Sequence, residues 1–516
     1  MTAESVFKDG TIRGTSPRDG SPLPAVACTP PSVVRPMVER ARRAGEVHAA
    51  RDIEERARLL GRFKDALLAR GDALVEALSL ECGKPEAESW LHEVVPIADL
   101  AEFWGGEGVE LLAPHAPELS STSYPGKHAR VERVARGVIA LISPWNFPVA
   151  IPLRTLFPAL LAGDAVVFKP SEYTPRCAVV IGEAAAEVYG PHLVQVAQGG
   201  GDVGAALVGG GVDAVVFTGS VATGRLVAHG AADALIPVGL ELGGKDAAIV
   251  LEDADIERTA RGLLWGAMAN AGQNCAAIER VYVCSGVALA LRQRLEALAA
   301  EMVPGRDFGP VTTDAQLRII ERHVQGARDA GAAVLAGGAR LNRPGRWYAP
   351  TVLADVPRGD PSLTEETFGP VLPLVEVADE DEAVAAANAS PFGLTASVWT
   401  RDLRRGERVA RRLRAGTVVV NNHGFTGSVP SLPWSGTGAS GYGVTSSEYA
   451  LDVLTRPRAV VVDTRRAKAE MWWHPYTPAL AKMGRSLATL RGGAPVGAKL
   501  AAVRDLVGAA RRRWKA

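Results

Sequence analysis

The feature that most constrains the fold is a series of short apolar runs, each ending at a turn signal. Residues 137–142 end at Ser143-Pro144, residues 165–168 at Lys169-Pro170, residues 193–196 before Gly199, and residues 214–217 at Thr218-Gly219. Each run is four to six residues long and helical patterns separate them. That alternation predicts βαβ units and a buried parallel sheet. A second series of the same kind follows Lys245, at residues 247–250, 280–283, 371–375, 396–399 and 417–420. The expected class is therefore α/β, with two α/β domains. Upstream, residues 32–80 carry apolar positions at helical spacing, among them Val34, Met37, Val38, Leu60, Phe63 and Leu67. Residues 119–135 and a late run, 459–463, read as a peripheral strand pair.

A chain of 516 residues exceeds what one hydrophobic core supports. Lys+Arg and Asp+Glu both total 57, so no global charge draws the chain to nucleic acid or to anionic membrane. The five cysteines (Cys28, Cys82, Cys177, Cys275 and Cys284) are odd in number, widely spaced and without a CxxC, which argues against a disulfide framework or a cysteine zinc site. No His cluster points to a metal. The first residues lack a basic region and an apolar region, and no apolar run approaches the ~20 residues of a membrane span, so a reducing cytoplasm is the expected compartment.

The tail behaves differently. From Lys482 onward it is strongly basic, and Val496, Leu500, Val503, Val507, Ala510 and Trp514 fall in one helical stripe. A helix packed on its own domain is expected there, with a membrane-surface or partner helix as the alternative.

Several motifs carry chemistry. Gly272-Gln273-Asn274-Cys275 lies 34 residues after Glu241-Leu242-Gly243-Gly244-Lys245. A cysteine and a carboxylate in such settings suit thioester chemistry, the thiolate attacking and the carboxylate activating water. Otherwise Cys275 is a small core residue and Glu241 a solvated charge. Asn146, in the proline-bracketed loop Ser143-Pro144-Trp145-Asn146-Phe147-Pro148, offers a neutral amide donor to a developing oxyanion. Residues 217–224, Phe-Thr-Gly-Ser-Val-Ala-Thr-Gly, end a β-run and open a helix, where free N–H groups can meet a pyrophosphate. The GxGxxG match at 199–204 is weak, because three adjacent glycines make it easy by chance and no acidic residue stands at a convincing strand end about 20 residues on.

Together these motifs, with Lys169-Pro170-Ser171-Glu172-Tyr173-Thr174-Pro175, Glu365-Glu366-Thr367-Phe368-Gly369-Pro370 and Asn421-Asn422, resemble the NAD(P)-dependent aldehyde dehydrogenase superfamily over roughly residues 10–465. The resemblance implies Cys275 as nucleophile, Asn146 with the Cys275 N–H as oxyanion hole, and Glu241 as general base. It implies a dinucleotide site at Trp145, Lys169, Glu172, Phe217, Gly219, Ser220, Gly224, Leu242, Glu366 and Phe368, with 199–204 largely bystanders. A carboxylate at Glu172 would accept from ribose hydroxyls and repel a 2′-phosphate, so NAD is expected over NADP. The expected product is a carboxylic acid, with a CoA-acylating variant disfavoured by Glu241.

Phe147 and Arg154 are the candidate substrate contacts, with a structural salt bridge the stronger expectation for Arg154. Arg154 stands where semialdehyde-oxidising relatives carry a carboxylate-binding arginine, but their companion arginine is Ala269 here. The family's Pro-Phe-Gly-Gly-x-Lys-x-Ser-Gly run appears as residues 433–441, with Trp434 for phenylalanine and Gly438 for lysine. The resemblance also implies a homodimer or dimer of dimers. Its domain boundaries would be 1–118 with 136–243 for the dinucleotide domain, 244–434 for the catalytic domain, 119–135 with 435–468 for oligomerisation strands, and 469–516 for the basic tail.

Overall fold

The computed structural model describes residues 6–121, 123–466, 470 and 472–515, with side chains followed to Ala509. Ala510 and Trp514 of the expected tail stripe therefore fall outside the described side chains. The chain divides into two compact units, Met1–Pro114 with Glu132–Arg458, and His115–Val131 with Ala459–Ala516.

The first unit holds two large sheets. One has six strands in the order Gly441–Tyr442, Val238–Glu241, Ala214–Thr218, Val138–Ile142, Ala165–Lys169, Val194–Val196. All neighbours are parallel except the edge strand Gly441–Tyr442. Val138–Ile142, Ala165–Lys169 and Ala214–Thr218 are buried at every position. Helices cover both faces, so these strands are continuous Val/Ile/Ala/Phe runs and do not alternate. Val34, Leu60, Phe63 and Leu67 of helices Pro31–Ala49 and Ile53–Leu68 share one core with Ile139, Val166 and Val216.

The other sheet has seven strands, Ala333–Ala336, Thr351–Ala354, Val371–Val377, Ile278–Cys284, Asp246–Val250, Thr395–Trp399, Thr417–Val420. Only its first pair is antiparallel. Successive residues point to opposite faces. Ile249 and Tyr282 enter one core with helix Asp314–Asp329. Ala248, Val250, Val281 and Val283 enter another with helices Ile256–Met268 and Ser285–Ala300.

Three strands lack the expected apolar-run signature. Val238–Glu241 is short and ends in a charge, Ala333–Ala336 is a half-exposed edge, and Thr351–Ala354 is only four residues long. Lys127–Ala135 and Thr455–Asp463 pair as a separate two-stranded sheet. Residues 119–121 and 123–126 are not part of it; Ser120, Ser123 and Tyr124 form a turn there. The tail forms two helices, Pro478–Arg491 and Val496–Lys515, where the sequence stripe suggested one.

Candidate active site

The carboxyl ends of the first sheet's parallel strands deliver the motif loops to one side. This is where open α/β sheets bind ligands. A cleft of about 760 Å³ opens there, lined by Trp145, Lys169, Glu172, Phe217, Gly219 and Ser220. Helix Val221–Asp233 begins at this wall. Its cap Ser220 accepts from the Thr223 N–H at 3.3 Å and donates to the Thr223 hydroxyl at 3.0 Å. The Ser220 hydroxyl is therefore engaged in holding the helix start. A Cβ at Gly219 would stand 2.7 Å from the Phe217 ring, so a larger residue there would force the ring to shift. Lys169 donates from Nζ to the Pro170 carbonyl at 2.6 Å, and burial lowers its pKa. Gly201 and Gly204 also border the cleft, so the 199–204 segment forms part of its wall.

The cleft fits a dinucleotide on two counts. The Ser143 hydroxyl at its edge is buried without a hydrogen-bond partner among the described residues. A helix N-terminus also opens on it, which suits phosphate.

Gly224, Leu242, Glu366 and Phe368 do not line this cleft. Leu242 packs over Gly224, where a Cβ would lie 2.4 Å from Leu242 Cδ2. Glu366 accepts the Gly244 N–H at 3.0 Å, and burial raises its carboxyl to about 8. Phe368, at φ +49°, meets Trp145 edge to face with centroids 5.5 Å apart.

A second cavity of about 260 Å³ is lined by Cys275, Glu241, Arg154, Phe147, Ile151, Trp265, Phe425 and Trp434, with Leu91 and His92 also on its wall. Cys275 follows a tight turn in which Asn270, Ala271 and Gly272 all have positive φ (54°, 55° and 69°). Side chains hold that turn. Asn270 Nδ2 donates to the carbonyls of Asn146 (2.9 Å) and Gln273 (3.0 Å), and the Gln273 amide spans Asn270 O and the Thr312 N–H. At Gly272 a Cβ would meet Gly369 O at 2.0 Å, so no other residue fits.

Asn146 is buried and does not line the cavity wall. Its Nδ2 donates to Gln273 O at 3.1 Å, which ties the loop at 143–148 to the turn before Cys275 and leaves the second amide proton without an acceptor among the described residues. Behind the turn that precedes Cys275, His423 Nε2 lies 2.7 Å from Ala276 O. Burial lowers this imidazole to about 4.

Electrostatics set the resting state. Burial raises the Cys275 thiol well above its ordinary value, the Glu241 charge adds to that, and Arg154 offsets part. Burial raises the Glu241 carboxyl to about 7, with Arg154 pulling it down. One Glu241 oxygen accepts no hydrogen bond among the described residues. Arg154 lies 5.7 Å from the Trp434 ring centroid, so its guanidinium is flanked by an aromatic face and by the charge of Glu241.

Two buried Lys–Glu pairs brace this arrangement, and neither carried a sequence signal. Lys84 pairs with Glu93, which accepts from the N–H groups of Val149 (3.1 Å) and Ala150 (2.8 Å) at the head of the Arg154 helix. Lys84 Nζ also sits 3.9 Å over the Phe147 ring. Lys245 pairs with Glu279 at 2.5 Å, and Glu279 accepts the N–H groups of Thr367 and Phe368. Leu91, His92, Ile151, Trp265 and Phe425 are likewise unannounced. Trp265 alone had a usable signal, as a large aromatic off the buried stripe of helix Ile256–Met268.

A parallel α/β sheet with a dinucleotide-sized cleft, beside a cavity that holds a thiol and a carboxyl group, has the form of an oxidoreductase. Sequence comparison gives the class its name. Residues 6–460 match the Aldehyde dehydrogenase family, and the chain belongs to it. It is 37% identical over 476 residues to a 4,4′-diapolycopene aldehyde oxidase of Methylomonas sp, covering 90% of this chain and 88% of that one. It is 36% identical over 466 residues to a betaine aldehyde dehydrogenase of Rhizobium leguminosarum bv. trifolii, covering 88% and 94%. Among solved structures, PnpE in complex with nicotinamide adenine dinucleotide superposes with a TM-score of 0.85 at 33% identity, covering 90% and 96%.

Proposed function

We propose that this protein oxidises an apolar or aromatic aldehyde to its carboxylic acid, with NAD preferred over NADP. The observation that carries the reading is the shared cavity of Cys275 and Glu241. When bound, the nicotinamide dinucleotide supplies the hydride acceptor. The residues for it are those of the 760 Å³ cleft, with Glu172 at the ribose and the start of helix Val221–Asp233 at the pyrophosphate. Phe368, packed on Trp145, and Glu366, which accepts the Gly244 N–H, act as positioning residues.

Cys275 loses its thiol proton to solvent and adds through sulfur to the aldehyde carbon. The oxyanion is received by the free amide proton of Asn146 and the Cys275 N–H, a donor pair of a kind in which each member contributes ~3 kcal/mol. Loss of hydride leaves an acyl thioester on Cys275. Glu241 then takes a proton from water, which attacks the thioester and frees the acid and the thiol. Glu241 is what favours water over CoA as the acyl acceptor.

The substrate class follows from the walls. Phe147, Ile151, Trp265, Phe425 and Trp434 give the aldehyde an apolar lining. Arg154 is the one arginine or lysine among the described residues that line the cavity. The Glu241 charge and the Trp434 ring already act on its guanidinium, and Ala269 supplies no second cation. A buried cation also disfavours a cationic substrate. The domain boundaries follow the two sheets, with the division at Gly243-Gly244, and the strand pair Lys127–Ala135 with Thr455–Asp463 serves assembly into a dimer or dimer of dimers.

A screen of short, aromatic, long-chain apolar, acidic and quaternary-ammonium aldehydes with each cofactor tests the reading. The expected result is the highest kcat/KM with aromatic or long apolar aldehydes and NAD. Best efficiency with succinate semialdehyde, or turnover only with CoA, would overturn it.

A further inference from the structure

The second unit ends in a feature the catalytic chemistry does not use. Helices Pro478–Arg491 and Val496–Lys515 pack on each other, with Lys482 paired to Asp505 at 3.0 Å and Met483, Ser486, Ala502 and Ala509 buried. On the side of the second helix away from Ala502 and Ala509, four aliphatic residues face outward. Val496 is 74% exposed, Leu500 67%, Val503 46% and Val507 49%. Their spacing of four, three and four residues puts them in a single stripe. Lys499 and Arg504 flank that stripe by helical register. Just before the hairpin, Trp472, Trp473 and Tyr476 are also exposed.

The charge distribution is equally lopsided. From residue 478 the chain has nine Lys and Arg and one acid, Asp505, leaving 48 basic and 56 acidic residues in the rest of the chain. The hairpin thus pairs a strongly basic character with an unpartnered apolar stripe and neighbouring Trp and Tyr. Basic groups complement acidic headgroups, aliphatic side chains enter the acyl boundary, and Trp and Tyr favour the interface between them. No helix among the described residues is long and apolar enough to cross a membrane.

We propose that this C-terminal hairpin docks the enzyme on the surface of an anionic lipid bilayer, with the second helix lying in the interface and Val496, Leu500, Val503 and Val507 facing the acyl chains. Self-pairing of two hairpins is disfavoured, because it would bring nine basic residues against nine. The rest of the chain, with its excess of acids, is repelled by the same bilayer. Attachment therefore depends on the hairpin, and it does not depend on the catalytic reading.

The test is vesicle flotation of the full chain with phosphatidylcholine vesicles, with and without phosphatidylglycerol. The protein should float with the anionic vesicles, little with the neutral ones, and be partly released by high salt. Leu500→Asp with Val503→Asp should weaken binding by about tenfold or more, while oxidation of a water-soluble aldehyde and the melting curve stay unchanged. A second measurement needs no variant: brominated anionic lipid should quench tryptophan fluorescence of the native chain. Equal flotation with neutral and anionic vesicles, or undiminished binding by the double variant, would overturn the proposal. So would a loss of self-association in the double variant without vesicles, which would assign the stripe to a second copy.

Discussion

Lys245 Nζ lies 2.5 Å from a carboxylate oxygen of Glu279, both side chains are buried, and the Glu279 carboxylate also accepts the N–H groups of Thr367 and Phe368 at 2.7 Å each. One ion pair thus fixes the loop that carries Glu366 and Phe368 to the strand that follows Glu241. Removing one partner leaves a buried charge unpaired, which costs roughly 3–5 kcal/mol. Lys245→Met should lower stability by that order in chemical denaturation and raise KM for NAD. Lys245→Met with Glu279→Met should recover part of the stability. A single variant as stable as the native chain would contradict this role.

The Glu241 carboxyl, raised to about 7, gives a pH dependence with a definite sign. The carboxylate has to be ionised to take a proton from water. Hydrolysis of the thioester should therefore climb as pH rises through about 7 and level off above it. Because Arg154 lowers this carboxyl, Arg154→Met should move the limb to higher pH. Profiles of kcat against pH for both proteins check it. A limb that stays in place, or moves down, would count against the pairing of these two residues.

Much of this site was legible in the sequence, for identifiable reasons. The parallel strands stood out because burial on both faces demands unbroken apolar runs, as at Val138–Ile142. Cys275 and Glu241 stood out because the close approaches at Gly272 and Gly244 require glycine beside them; a Cβ on Gly244 would meet Cys275 O at 2.1 Å. The Lys84–Glu93 and Lys245–Glu279 pairs were hidden, since a buried ion pair looks like two solvated charges until the chain folds. Leu91 and Phe425 were hidden because pocket walls assembled from distant segments leave no periodicity. Arg154 and Trp434 were each legible, the latter as a departure in the 433–441 run, but their proximity was not, and it changes what the cation is free to bind.

Cofactor choice rests on Glu172, at the wall of the dinucleotide cleft. Glu172→Gln removes a charge that would repel a 2′-phosphate. The ratio of kcat/KM for NADP to that for NAD should rise about tenfold, on the order of 1.4 kcal/mol. An unchanged ratio would move the specificity determinant elsewhere.

The most direct test of the central claim, that Cys275 carries the acyl group and Glu241 releases it, is intact-protein mass spectrometry of Glu241→Gln after mixing with NAD and an aromatic aldehyde. The expected result is one stoichiometric burst of NADH, slow turnover afterwards, and a mass gain of one acyl group that peptide mapping places on Cys275. Normal steady turnover without an adduct, or an adduct on Cys28, Cys82, Cys177 or Cys284, would contradict it.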